Sequence, residues 1–161
     1  MEHAFIYAFP ATLSNPIAQE RVDDGRRIID IAFTNMATRG GVMSLAKTRF
    51  GSHKLIVECK NYREDPANPE VDQLAGRTRP DFGDFGILAC RTIQNEKLLM
   101  DRCRDVYLHR GLLLVPMCDR DLLALVDAVA SGKIEDCGYA LLGEPTSPLA
   151  ERMMRIIGPS G

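Results

Sequence analysis

The pattern of apolar and polar residues predicts four strands, two in the first half of the chain and two in the second. Residues 26–33 and 53–62 are rich in β-branched and apolar residues, which favours strands that are largely buried. Residues 85–90 and 112–116 are short, continuous apolar runs, a pattern typical of strands covered on both faces. Asp30 interrupts the apolar residues of the first of these segments.

Helix signals fall between and after the predicted strands. Asn68-Pro69-Glu70 places a capping residue, a proline and an acid in the order that starts a helix, which predicts a helix from Pro69 to about Arg79. Further helices are predicted over residues 41–49, from Asn95 to about His109, and from Asp119 or Asp121 to Gly132. This alternation predicts an α/β fold with a mixed central β-sheet flanked by helices.

The chain is predicted to form one domain. No internal repeat, low-complexity tract or Gly/Ser linker divides its 161 residues. We expect a single domain over residues 1–161, with a core at about 20–132 and loosely structured termini.

The spacing of the cysteines and the length of the apolar runs indicate the cellular compartment. The five cysteines are widely spaced without a C-x-x-C pair, and are interpreted as reduced core thiols, Cys59, Cys90, Cys103, Cys118 and Cys137. No apolar run reaches the length of about 18 to 20 residues that a membrane span needs, and residues 1–3 do not begin a signal peptide. We expect a cytoplasmic protein with no membrane segment.

Charge is unevenly distributed along the chain. The net charge is −2, yet residues 21–110 carry a small excess of basic residues and the remainder an excess of acidic ones. A basic middle segment can contact nucleic-acid phosphates, with Arg26, Arg27, Arg77 and Arg79 as the first candidates. The alternative, that so small an asymmetry has no function, stays open.

Two carboxylates and one ammonium group stand out against the apolar strands. Because side chains alternate along a strand, Glu58 and Lys60 share one face at about 6.6 to 7 Å, whereas Cys59 points to the other. If the strand that carries Asp30 lies beside this one, as consecutive strands often do, all three charges converge. The alternative is a buried Asp30–Lys60 or Glu58–Lys60 ion pair that only fixes the sheet.

This cluster has the chemistry of a divalent-cation site. Mg²⁺ prefers one or two carboxylates together with water and phosphate oxygens, so Asp30, Glu58 and the backbone carbonyl of Cys59 are candidate ligands, with Mn²⁺ as a substitute ion. A cation held there favours hydrolysis of phosphodiesters. Lys60 has two candidate roles, to orient and deprotonate the attacking water or to contact the reacting phosphate.

Three segments together resemble a known family. Residues 25–30, Gly-Arg-Arg-Ile-Ile-Asp, then residues 56–62, Ile-Val-Glu-Cys-Lys-Asn-Tyr, and then residues 69–77 resemble the catalytic domain of Mrr-type restriction endonucleases, in the PD-(D/E)xK superfamily. The resemblance spans residues of about 20 to 130. It implies a restriction-endonuclease-like core in which Asp30 and Glu58 bind the metal, Lys60 completes the catalytic set, and Gln73 on the following helix supports the site.

The chain departs from the superfamily pattern at two positions. No proline precedes Asp30, which this branch of the family does not require. The acidic residue that some relatives carry on their first helix has Glu20 as its one candidate, which leaves the number of metal ions open.

The leading hypothesis is a Mg²⁺-dependent endonuclease that hydrolyses DNA in restriction, phage defence or repair, as a homodimer or beside a fused or associated recognition module. The first alternative is a catalytically silent domain of the same fold that binds nucleic acid or assembles with other proteins. An activity assay with and without Mg²⁺ separates the two. A third hypothesis, a hydrolase with a cysteine nucleophile, would need a histidine within reach of a thiol, and no such signature is present in the sequence.

Overall fold

The fold is given by a computed structural model, which describes residues 1–22, 27–60, 65, 71, 76, 82–139 and 147–158, apart from the side chains of Val22 and Arg27. The elements are α1 (Glu2–Ala8), β1 (Leu13–Val22), β2 (Arg27–Asn35), α2 (Val42–Phe50), β3 (Lys54–Lys60), β4 (Phe85–Cys90), α3 (Glu96–Arg110), β5 (Leu113–Cys118), α4 (Asp119–Ala130) and α5 (Pro148–Ile157).

The strands form one sheet in the order β1-β2-β3-β4-β5. The β1–β2 and β2–β3 pairs are antiparallel, whereas the β3–β4 and β4–β5 pairs are parallel. The predicted α/β class with a mixed central sheet is confirmed. A mixed sheet of this order is shared by many α/β folds and does not by itself define a restriction-endonuclease-like core.

The predicted strands of the second half follow local apolar signals. All six residues of β4 and all six of β5 are buried, as expected of strands covered on both faces. Asn95 caps α3 by accepting the N–H of Leu98 at 3.0 Å, and Gly111 ends the helix with φ of 71°. The boundaries of α3 therefore agree with the prediction.

The main core lies on the face of the sheet that carries Ile31 and Phe33 of β2 and the odd-numbered residues of β3. Phe5 of α1 packs on Phe33 of β2 with ring centroids 5.7 Å apart, and Leu55 and Val57 of β3 belong to the same cluster. A second, smaller cluster consists of Ile29, Ala32, Ile56 and Phe82. The even-numbered side chains of β3 point toward this second cluster.

The prediction that the termini are loosely structured is wrong for residues 2–8 and 148–157. Phe5 and Ala8 of α1 are buried in the core, as are four apolar residues of α5, Leu149, Ala150, Met153 and Ile156. Their spacing is that of a helix with one apolar stripe. The core therefore extends on both sides of residues 20–132.

The helix predicted from Pro69 to about Arg79 lies outside the described residues, except that Val71 is helical and buried and Gly76 is an exposed turn residue. Within the described ranges, no helix combines the length and the apolar character that crossing a membrane requires.

Candidate active site

The backbone pairing of β2 with β3 stops beside Asp30. The last pair joins Ile31 and Val57, and the odd-numbered residues of β3 direct their N–H and C=O groups toward β2. The next rung of the ladder would join Ile29 and Cys59. Instead, the Cys59 N–H donates to the Oδ2 atom of Asp30 at 2.8 Å. A carboxylate therefore takes the place of a backbone acceptor at the end of the ladder.

Glu58 and Lys60 form an ion pair on the opposite face of β3 from the Cys59 thiol. The Nζ atom of Lys60 lies 3.0 Å from the Oε1 atom of Glu58. The side chain of Glu58 is 3% exposed and that of Lys60 is 9% exposed, so both charges are largely removed from water. Glu58 and Lys60 therefore lie on one face of β3, as the alternation of side chains along a strand predicts.

Burial and the neighbouring charged groups change the pKa of the Cys59 thiol. The pKa of this thiol is raised to about 11; burial is the largest cause, and the carboxylates of Asp30 and Glu58 act in the same direction. The chain's amino terminus and Lys60 act in the opposite direction. The structure therefore brings Asp30, Glu58 and Lys60 together around the carboxyl end of β3.

The residues at this position fit a divalent cation of the magnesium type. Asp30 and Glu58 supply two carboxylates, and the Cys59 carbonyl points to the same edge of β3 as its N–H, toward Asp30. In the described part of the chain, no three residues of the types His, Cys, Asp and Glu form a group that could hold a metal. A site of two carboxylates suits Mg²⁺, which keeps several waters and binds phosphate oxygens, better than an ion that needs a closed protein cage.

Glu20 lies on β1 and not on a helix. It is paired with Ile29 in the β1–β2 register, and its Oε1 atom lies 2.5 Å from the Nζ atom of Lys54 on β3. The Lys54 ammonium also lies 4.8 Å from the centre of the Phe82 ring. Glu20 is therefore engaged by a second lysine of β3, and the described residues do not combine it with Asp30 and Glu58 into a three-residue group.

Most of the predicted DNA-contacting residues, and Gln73, fall outside the described residues. Arg26, Gln73, Arg77 and Arg79 are in this class, whereas Arg27 is described in its backbone only. The β1–β2 pairing continues to Val22 and Arg27, beyond the last β2–β3 pair. Arg27 therefore stands on a hairpin end that runs past Asp30, and the roles of all five residues stay predictions.

Sequence reasoning missed a carboxylate that follows the candidate site along the chain. Asp65 accepts the backbone N–H groups of Gln94 at 2.7 Å and Asn95 at 2.5 Å. These contacts tie the chain after Lys60 to the turn that starts α3. No local pattern predicts these two hydrogen bonds, because Gln94 and Asn95 lie 29 and 30 residues after Asp65 in the sequence.

Sequence reasoning also missed a buried ion pair at the carboxyl end of β5. The Nη1 atom of Arg152 on α5 lies 2.5 Å from the Oδ2 atom of Asp121, and it donates to the carbonyl of Pro116 at 2.7 Å. The same Asp121 oxygen accepts the N–H of Cys118 at 2.8 Å. The one available signal was an arginine inside the apolar stripe of a helix, at a position that must be buried.

Comparison of the chain with protein-family models, curated proteins and solved structures finds no match.

Proposed function

We propose that this chain is a Mg²⁺-dependent nuclease that hydrolyses phosphodiester bonds of DNA, with Asp30, Glu58 and Lys60 at its active site. The observation that carries the proposal is the position of the Asp30 carboxylate. It ends the β2–β3 ladder at Cys59, the residue between Glu58 and Lys60. Three charged groups thus gather at the carboxyl end of β3.

The net negative charge of Asp30, Glu58 and Lys60 taken together supports a role in binding a cation. The Glu58–Lys60 pair is neutral as a unit, and Asp30 adds a negative charge beside it. Removing an ion from water costs several kcal/mol even after the protein relaxes, so such an arrangement is costly as a purely structural device. A pair that only fixed the sheet would not require the third charge.

The three residues have distinct roles in this proposal. Asp30 and Glu58 hold the cation, and the Cys59 N–H fixes the orientation of the Asp30 carboxylate. When bound, Mg²⁺ lowers the pKa of a coordinated water and neutralises charge on the phosphate oxygens. Lys60 either orients the attacking water or contacts the reacting phosphate, and both roles require its ammonium to face the substrate.

The resemblance to Mrr-type restriction endonucleases supports DNA as the substrate and restriction, phage defence or repair as the setting. Basic residues of the segment 21–110 would then contact the phosphates. Action as a homodimer, or beside an associated recognition module, belongs to the same proposal. The competing candidate is a domain that binds DNA without cutting it, and the closed Glu58–Lys60 ion pair is the observation that favours this alternative.

Cleavage assays on the whole chain test the proposal. Supercoiled and linear DNA are incubated with Mg²⁺, with Mn²⁺ or with EDTA, using the wild type, Glu58→Gln and Glu20→Gln. Glu58→Gln should lose at least about 100-fold of the metal-dependent rate, as expected on removal of a positioned charge. Glu20→Gln is the matched control, because it changes the other carboxylate that pairs with a lysine of β3, and it should keep the activity. Wild-type protein that binds DNA but never cuts it would establish the non-catalytic alternative.

A further inference from the structure

The carboxylate site already contains a cation, the ammonium group of Lys60. Its Nζ atom lies 3.0 Å from Glu58 Oε1, and neither side chain is more than 9% exposed. A divalent ion bound by Glu58 would stand within a few ångströms of this ammonium. Two like charges at about 4 to 5 Å repel each other in a partly buried site, so the ammonium and a divalent ion compete for the Glu58 carboxylate.

We propose that Lys60 and a divalent cation exchange at Glu58: Lys60 holds the carboxylate in the metal-free protein and leaves it when the cation binds. This inference rests on the proposed function, since it concerns the same site. The lysine side chain suits the exchange, because its four-carbon stem is flexible and its charge is compact. A buried carboxylate that loses one cation gains another, so the site is never left with an uncompensated charge.

The exchange makes Lys60 a built-in competitor of the metal. Each cation that binds must displace the ammonium, so the lysine lowers the apparent affinity for the ion. Binding also frees the ammonium, which can then face a phosphate group. Lys60 therefore becomes available to substrate only when the site holds a metal, which prevents the empty site from engaging phosphate through this lysine.

Mn²⁺ affinity of the whole chain, measured without DNA by electron paramagnetic resonance or calorimetry, tests the exchange. Lys60→Met removes the competing charge and should tighten Mn²⁺ binding roughly tenfold or more. Lys54→Met is the matched control, since Lys54 lies on the same face of the same strand and pairs with a different carboxylate, that of Glu20. It should leave the affinity within about twofold of wild type, as expected for a charge outside the site.

Two further measurements keep the test decisive. Lys60→Gln also lacks the charge and retains a donor for Glu58, so it replaces Lys60→Met should that variant fail to fold. In the wild type with ¹³C-labelled lysine, the NMR signal of the Lys60 ε-methylene should shift during Mg²⁺ titration with the midpoint of binding, while that of Lys54 stays in place. Equal or weaker Mn²⁺ binding in both Lys60 variants, or a Lys60 signal that ignores Mg²⁺, would overturn the exchange.

The outcomes separate the exchange from the nuclease activity. Tighter Mn²⁺ binding by Lys60→Met in a chain whose wild type never cuts DNA supports the exchange and contradicts the nuclease. DNA cleavage by wild type without any gain in Mn²⁺ affinity contradicts the exchange and leaves the nuclease standing. Absence of Mn²⁺ binding in every variant contradicts both.

Discussion

The carboxylate of Asp30 accepts the backbone N–H of Cys59, a residue 29 positions further along the chain. This one bond gives Asp30 two functions that substitutions can separate. As an acceptor, it satisfies a backbone donor that would otherwise lie without a partner at the end of the β2–β3 ladder. As a charge, it contributes to the proposed cation site together with Glu58.

Asp30→Asn should keep the acceptor and lose the charge. We expect its free energy of unfolding to stay within about 1 kcal/mol of wild type, because the amide oxygen can still accept the Cys59 N–H. Its Mg²⁺-dependent cleavage should fall by at least about 100-fold. Asp30→Ala should lose the same activity and also about 1 to 3 kcal/mol of the free energy of unfolding, because it leaves a partly buried donor without its acceptor. Urea unfolding and a cleavage assay measure the two effects, and an Asp30→Asn protein that cuts DNA normally would refute the metal-binding role.

Arg152→Met should strongly destabilise the protein. It leaves the Asp121 carboxylate, only 6% exposed, without its ion-pair partner, and breaking a buried pair typically costs about 3 to 5 kcal/mol. The double variant Arg152→Met with Asp121→Asn should recover part of this loss, since the two residues are coupled. Arg155→Met is the control: this arginine pairs with Glu96 at the surface and should cost less than about 1 kcal/mol. Urea unfolding that gives equal losses for both arginines would contradict this assignment.

Binding to DNA should weaken as salt rises, and each predicted phosphate contact should contribute to that dependence. Anisotropy of a labelled duplex is measured in Ca²⁺, which we expect to bind without supporting turnover. Replacing Arg26, Arg27, Arg77 or Arg79 by Gln should flatten the log-log salt slope by about one unit each. Arg155→Gln should leave the slope unchanged. Affinity that does not respond to salt would argue for a protein or small-molecule ligand.

Four thiols, those of Cys59, Cys90, Cys103 and Cys137, should be unreactive in the folded protein. Burial is the largest cause that raises their pKa values, to about 11 for Cys59 and Cys137 and about 12 for Cys90 and Cys103, from an ordinary value of 9.0. At pH 8 an increase of two in pKa lowers the thiolate fraction about 100-fold, so alkylation should be far slower in native protein than in urea. The preference for the neutral thiol contributes stability below about pH 9, and that contribution is lost as the pH rises through about 11 to 12. A cysteine that reacts at full speed in native protein would instead support the cysteine-nucleophile hypothesis.

The sequence predicted those elements whose signals are local. Strands β4 and β5 are continuous apolar runs, and α3 carries a capping residue at one end and a left-handed glycine at the other. Strand β1 was missed because it lies at the edge of the sheet and is largely exposed. It also contains Pro16 and a register irregularity between Ser14 and Ile17, so no period of two is visible in it.

In the candidate site, too, the sequence predicts the local relationships and not the long-range contacts. Glu58 and Lys60 lie two residues apart, so strand alternation alone places them on one face, as the ion pair requires. The bond between Asp30 and Cys59 depends on how two strands are aligned. The sequence predicts that Asp30 converges with Glu58 and Lys60 if their strands are adjacent, but not that its carboxylate accepts the Cys59 N–H. The Arg152–Asp121 pair depends on the docking of α5, which no local pattern encodes.

Arg152 and Asp121 form hydrogen bonds with backbone groups on the outer edge of β5. Pro116 has no N–H to offer, and its carbonyl accepts from Arg152, while the N–H of Cys118 donates to Asp121. Over this stretch the strand presents neither a donor nor an acceptor to another chain. An apolar strand at the end of a sheet is a template for strand addition, and Arg152 and Asp121 occupy two of the backbone groups that another strand would use.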